Sequence, residues 1–240
     1  MKVKFNTMIF VYLCPMIKEH VILYIHGMGG GGDSRIPSIL RDYFTSSPHW
    51  SEKFPSDSVK ILCRTYSFDP ETAHSQIESW VDDVKPDLVI GESLGSLHAL
   101  RIPHVPCLFV SPALNAPLYF EIMAWLSLIP GMTWIFDRIY KPREGDRQPL
   151  HFTFRLLRKY LSHRKAALHC HDLSSVHTPG LHAFFGTRDH YRRSGVVSVR
   201  TWKKYFGDTF SMYEGSHFME EEFIFSALIP EICKVLSIKK

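Results

Sequence analysis

Long apolar runs, repeats and strong net charge are all scarce in this chain. Its most apolar stretch, Leu118 to Phe136, is broken by Glu121 and by Pro130-Gly131. That leaves too short a run for a transmembrane helix, so no integral membrane segment is expected. A net charge of +4 is too mild to argue for nucleic acid. Cysteines number five (Cys14, Cys63, Cys107, Cys170, Cys233), scattered and odd in count. They point to reduced, structural thiols rather than a disulfide framework. Repeats and low-complexity tracts are absent apart from one glycine run, which sets aside repeat architectures. A secretion signal is also missing in convincing form. Lys2 and Lys4 precede a short apolar run, Met8 to Cys14, but no small-x-small cleavage site follows. Pro15-Met16-Ile17-Lys18 reads as a more natural start. Residues 1–19 are therefore expected to be a leader or frayed N-terminus, and the compartment to be the cytoplasm.

What is present is an alternation of apolar runs with helical patterns. His20 to Ile25 is a continuous run rich in β-branched residues, the mark of a strand buried on both faces. Val59–Cys63, Leu88–Ile90, Val105–Val110, Leu181–Phe185 and Thr209–Tyr213 read the same way. Between them lie helical patterns: Ile36 to Phe44, a helix opened by Pro70 and closed by Pro86, one from Val196 to Phe206, and a last one with Phe225, Leu228, Ile229, Ile232, Val235 and Leu236 on its apolar stripe. This alternation requires an α/β fold: a mostly parallel sheet of about six strands, with helices on both faces in three layers. Roughly residues 114–175 interrupt the pattern. Their first half is aromatic and their second half basic, which predicts two to four helices inserted over the sheet. Residues 20–240 otherwise form one domain.

The organising stretch is Gly91-Glu92-Ser93-Leu94-Gly95, after a buried strand and before a helix. A turn that tight strains the serine backbone and brings strand and helix together. Side chains at Gly91 and Gly95 would clash there. The turn exposes the Ser93 hydroxyl above the sheet edge and aims the Leu94 N–H at the same point.

In a doubly wound sheet all strand C-termini share one edge, where ligands bind. Four features fall at such ends: His26-Gly27-Met28-Gly29, Ser93, Asp189 and His217. A serine hydroxyl needs a base within hydrogen-bond reach, and the base needs an acid to fix its tautomer. His217, just after the last strand, can supply the base. Asp189, just after the preceding strand, can supply the acid; Glu214 and Asp172 are reserve candidates. The chain order Ser, Asp, His is the one this turn architecture demands. Leu94 and Met28 can supply two N–H donors to an oxyanion. His26 and Gly27 belong to the same loop and are placed beside the substrate, His26 chiefly as a residue that orders the loop. The further glycines, Gly29 to Gly32, are expected to make that loop flexible. His98 is expected to be a satisfied core imidazole.

At these motifs the chain resembles the α/β-hydrolase superfamily, and its compact bacterial serine esterases in size and layout. The resemblance spans about residues 20–238, the insertion excepted. His26-Gly27-Met28-Gly29 is similar to the family's oxyanion loop, Gly186-Thr187-Arg188-Asp189 to its acid turn, and Gly215-Ser216-His217-Phe218 to its histidine loop. It implies strand order second, first, third, fourth, fifth, sixth, and makes the insertion a lid. It also implies an ester or thioester as small-molecule substrate, with the aromatic lid pointing to an apolar acyl group and no cofactor required. The lid sequence matches no substrate-specific subgroup.

The sequence also admits two rival readings. One is a hydrolase-fold protein that binds a ligand without turnover. The other is an NADP-dependent oxidoreductase, because Gly27 to Gly32 also satisfies Gly-x-Gly-x-x-Gly between strand and helix. The second strand, however, ends in Arg64-Thr65-Tyr66 with no acidic residue for a ribose. His169-Cys170-His171-Asp172 is dense in metal-ligating types, but adjacent residues on one helix point in different directions, so no metal is expected.

Overall fold

The six apolar runs form six strands, every neighbouring pair of them parallel. They are β1 (Lys18–Ile25), β2 (Asp57–Cys63), β3 (Leu88–Glu92), β4 (Cys107–Val110), β5 (Leu181–Gly186) and β6 (Phe210–Tyr213), ordered β2-β1-β3-β4-β5-β6. The structure is a computed structural model and describes residues 18–46, 57–142, 144–170 and 180–238. Along each central strand the side chains alternate between two apolar layers, as period-2 geometry dictates. Leu23, Ile25, Val89, Phe109, Ala183 and Phe185 face one layer. Ile22, Tyr24, Ile90, Leu108, Val110 and Phe184 face the other. Continuous apolar runs were needed because both faces are covered.

On one face lie α1 (Arg35–Ser46) and the C-terminal helical segment. On the other lie α2 (Pro70–Val84), the short α3 (Ser96–Ala99), the insertion and the helix before β6. Asp69 caps α2 by accepting from the Glu71 and Thr72 N–H groups, at 3.0 and 3.2 Å, and Pro70 occupies its first turn. The insertion contributes three helices: α4 (Ala116–Leu126), α5 (Met132–Ile139) and α6 (Phe154–His169). The remaining elements are α7 (His190–Ser194), α8 (Val199–Phe206), a turn α9 (Glu221–Phe223) and α10 (Ile229–Ile238).

Several expectations need correction. β1 begins at Lys18, inside the stretch read as leader; residues 1–17 lie outside the described residues. Phe225 is not on the buried stripe of the last helix but 42 % exposed. A π-helical segment, Ile224–Leu228, joins α9 to α10, and its wider turn shifts the register that an even 3.6-residue period assumes. His98 is fully buried as expected, yet neither ring nitrogen has a hydrogen-bond partner. α3 is wholly buried between the sheet and α6, where the neighbours of His98 are other rings rather than acceptors. Within the insertion, α6 is joined to the rest of the fold by side-chain bonds. Lys159 on α6 bridges Asp69 and Glu71 at 2.7 Å each, and the Tyr160 hydroxyl donates to the Phe68 carbonyl at 2.8 Å. These bonds make α6 part of the body.

Candidate active site

β3 runs straight into the turn that holds Ser93. There φ is +49°, the left-handed region that non-glycine residues rarely adopt. The two flanking glycines are required by contact. A Cβ on Gly95 would sit 2.3 Å from the His26 carbonyl oxygen, and one on Gly91 would sit 2.8 Å from the Ala99 Cβ. The strand and helix backbones therefore approach as closely as the turn pattern predicts.

The structure brings the three distant side chains to one place. His217 Nε2 lies 2.9 Å from Ser93 Oγ, and His217 Nδ1 lies 2.8 Å from Asp189 Oδ2. The carboxylate makes Nδ1 the protonated nitrogen, so Nε2 is free to accept from the serine. Asp189 is at the end of β5 and its side chain is fully buried. Its second oxygen accepts the Tyr191 N–H at 2.8 Å, as the N-cap of α7. Both carboxylate oxygens are thus committed, and neither Arg188 nor Arg192 pairs with them. Arg188 donates to the Glu214 carbonyl at 2.6 Å, and Arg192 to the Gly186 carbonyl at 3.0 Å. The reserve acid Glu214 is exposed; Asp172 lies outside the described residues, as does part of the 169–172 cluster. Among the described residues no group of three or more His, Cys, Asp or Glu is placed to hold a metal.

The histidine loop is held from several sides by residues that the sequence did not single out. Glu220 accepts the Ser216 N–H at 3.0 Å, and the Tyr213 hydroxyl donates to the Ser216 carbonyl at 2.7 Å. Arg35, at the start of α1, donates to the carbonyls of Phe218 and Met219. None of these carries a sequence signal, because each joins a side chain to a main-chain atom in a loop.

The loop after β1 passes against Ser93: a Cβ on Gly27 would stand 3.1 Å from the Ser93 Cβ. Met28 follows it, partly buried against the core. His26 is fully buried, stacked on Tyr66 with centroids 4.2 Å apart. Its Nδ1–H donates to the Gly27 carbonyl at 2.7 Å, and burial pushes its pKa down to about 4. It orders the loop as a neutral ring and has no surface to offer a substrate.

The expected flexibility of the glycine run is not what the geometry serves. Residues 146–148 of the insertion lie directly across it. A Cβ on Gly31 would stand 1.7 Å from the Asp146 carbonyl oxygen, and one on Gly32 2.3 Å from the Asp146 carboxylate. Buried Gln148 accepts the Gly29 N–H at 3.1 Å and donates to the carbonyls of Tyr66 and Ser67. Its own N–H donates to the Gly30 carbonyl at 2.6 Å. Arg147 pairs with Asp33 at 2.9 Å. The glycines make room for this strap.

With this sheet order and its strand-end site, the chain has the α/β-hydrolase fold. It superposes on a metagenome-derived lipolytic enzyme with a TM-score of 0.55, at 14% identity over 92% of this chain and 98% of the other. A carboxylesterase of the thaumarchaeon Nitrososphaera gargenis matches with a TM-score of 0.51, at 11% identity over 91% of each chain. A haloalkane dehalogenase of Agrobacterium tumefaciens matches at 0.53, with 12% identity over 92% and 89%. At such identities the likeness is one of fold. No protein-family model matches the sequence, and no curated protein matches it.

Proposed function

We propose that the chain is a serine hydrolase that cleaves an ester or thioester through an acyl-enzyme. The observation that carries this reading is the unbroken line Ser93 Oγ, His217, Asp189, with both links under 3 Å. Ser93 Oγ attacks the carbonyl carbon while its proton passes to His217 Nε2. Asp189 keeps the imidazole oriented and stabilises its cation. The tetrahedral oxyanion is received by the N–H groups of Leu94 and Met28. Collapse expels the alcohol or thiol, which takes the proton from His217. Water then repeats the sequence in reverse, with His217 as its base, and releases the acid.

The solved structures of this fold include a carboxylesterase and a dehalogenase, so the fold alone does not choose the bond cleaved; the serine at the turn supports acyl transfer. Within the insertion, α4 and α5 carry the exposed aromatic side chains that a lid over the site would use. Their aromatic character favours an apolar acyl group. A panel of p-nitrophenyl esters of increasing chain length tests the proposal. A burst of p-nitrophenol matching the enzyme concentration, followed by slower turnover, is expected from an acyl-enzyme. A folded protein that binds these esters without releasing p-nitrophenol is a binding protein on a hydrolase fold, and the proposal is then wrong.

A further inference from the structure

Most of the large apolar side chains exposed among the described residues fall between Leu118 and Tyr140. They lie on α4, on the turn after it and on α5. Ile122, Trp125, Leu128, Ile129, Trp134 and Ile139 are each more than half exposed. A water-soluble surface rarely leaves so much apolar area together. Two of the six are tryptophans, whose amphipathic rings suit the boundary between headgroups and acyl chains.

The charges around this face are not balanced. Its two acids are already engaged: Glu121 pairs with Arg158 at 2.6 Å, and Asp137 with His151 at 2.6 Å and the Phe152 N–H at 2.9 Å. The exposed charges at its rim are mainly basic, with Glu144 the one acid among them. Lys141 follows α5, and Arg155 follows Phe154, whose ring touches Trp125. Arg138 lies 5.5 Å from the Trp134 ring centroid.

The face also continues into the candidate active site. Tyr119 on α4 donates to the Ser194 carbonyl at the end of α7, and Asn115 donates to the Gly195 carbonyl at 2.9 Å. Tyr191 on α7 stands 4.6 Å, ring to ring, from His217. Beside it is an open cleft of about 650 Å³ lined by Thr187, Arg188, Asp189, His190, Arg192 and Arg193, in which Arg188 and Arg192 also donate to main-chain carbonyls. Asp189, its one carboxylate, has both oxygens occupied.

We propose that the α4–α5 face docks on an anionic phospholipid surface. The apolar side chains enter the headgroup boundary, the basic rim meets the anionic charge, and the arginine cleft beside Tyr191 receives a phosphate headgroup. A second copy fits the same face poorly. A two-fold contact would set Arg138, Lys141 and Arg155 against a second surface with the same basic excess. The proposal does not depend on Ser93 being a nucleophile.

The test is co-sedimentation of the full chain, as Ser93→Ala to prevent hydrolysis, with phosphatidylcholine vesicles with or without phosphatidylglycerol. Binding to the anionic vesicles is expected to exceed binding to the neutral ones at least about tenfold at low salt, and to fall as salt rises. Trp125→Ala with Trp134→Ala should cut binding about tenfold or more without changing the melting temperature, since both rings are exposed. Arg193→Glu should remove most of the preference for anionic vesicles. Equal binding to both vesicle types, or none to either, overturns the proposal. So does a dimer in sedimentation velocity that the double tryptophan variant returns to monomer.

Discussion

At the scale of single residues, strain and contact explain why the site uses the residues it does. Ser93 holds a positive φ that the surrounding sheet and helix enforce. Gly91 and Gly95 permit that turn only because they lack a Cβ. These features were legible in the sequence, since steric need writes itself as glycine at fixed spacing. Asp189 was legible too, by its place at a strand end. Its second bond, to the Tyr191 N–H, was not. That bond predicts how the acid behaves when changed. Asp189→Asn keeps the shape but reverses the preferred His217 tautomer. Under the proposed mechanism kcat should fall about 10³- to 10⁴-fold, with KM little altered. Steady-state kinetics on a p-nitrophenyl ester decides this; an unchanged kcat would remove Asp189 from the mechanism.

At the scale of elements, the insertion divides into parts with different duties. α6 belongs to the body, while the strap at residues 146–148 ties the insertion to the loop beside Ser93. Sequence patterns show the basic character of this region but not the strap. Gln148 reaches Gly29 across 119 positions, and no periodicity encodes such a bond. Gln148→Ala would leave the Gly29 N–H and the Tyr66 and Ser67 carbonyls unpaired. A loss of about 1–3 kcal/mol is expected in urea unfolding, with faster amide exchange at Gly29. Unchanged exchange at Gly29 would mean that the strap does not restrain the loop.

The junction of α2, α3 and α6 carries a pH dependence. His98 meets the ring of His163 at 4.4 Å, and His163 meets that of His74 at 6.1 Å. The charged groups facing them are Arg101, which donates to His163 Nδ1 at 2.8 Å, and Glu78, which lies 3.2 Å from His74. Burial lowers the pKa of all three imidazoles, that of His163 to about 3. A folded pKa below the unfolded 6.5 means that the unfolded chain binds protons first as pH falls. Stability is therefore full above pH 6.5 and declines below it, by up to about 1.4 kcal/mol per pH unit for each buried imidazole. His98→Leu, which removes two unpaired nitrogens, should make the decline shallower between about pH 7 and pH 5. Urea midpoints at the two pH values measure it, and an equally steep decline would contradict the assignment.

At the scale of the whole molecule, six parallel strands bring four distant segments to one edge of the sheet. The alternation of apolar runs with helical stripes made that architecture readable, because a sheet covered on both faces needs strands that are apolar throughout. Irregular parts were less readable: the π-helical shift at Ile224–Leu228, the strap, and the exposed apolar face of α4 and α5. That face has the composition of a buried helix, so pattern alone does not reveal that it is open to solvent.

In the proposed mechanism Ser93 is the nucleophile of this assembly, activated by His217. The most direct measurement is intact-protein and peptide mass spectrometry after exposure to a fluorophosphonate. One adduct is expected, on Ser93, at full occupancy in the native chain, absent in Ser93→Ala and strongly slowed in His217→Ala. A folded native chain that stays unlabelled, or a label on another residue, would contradict it.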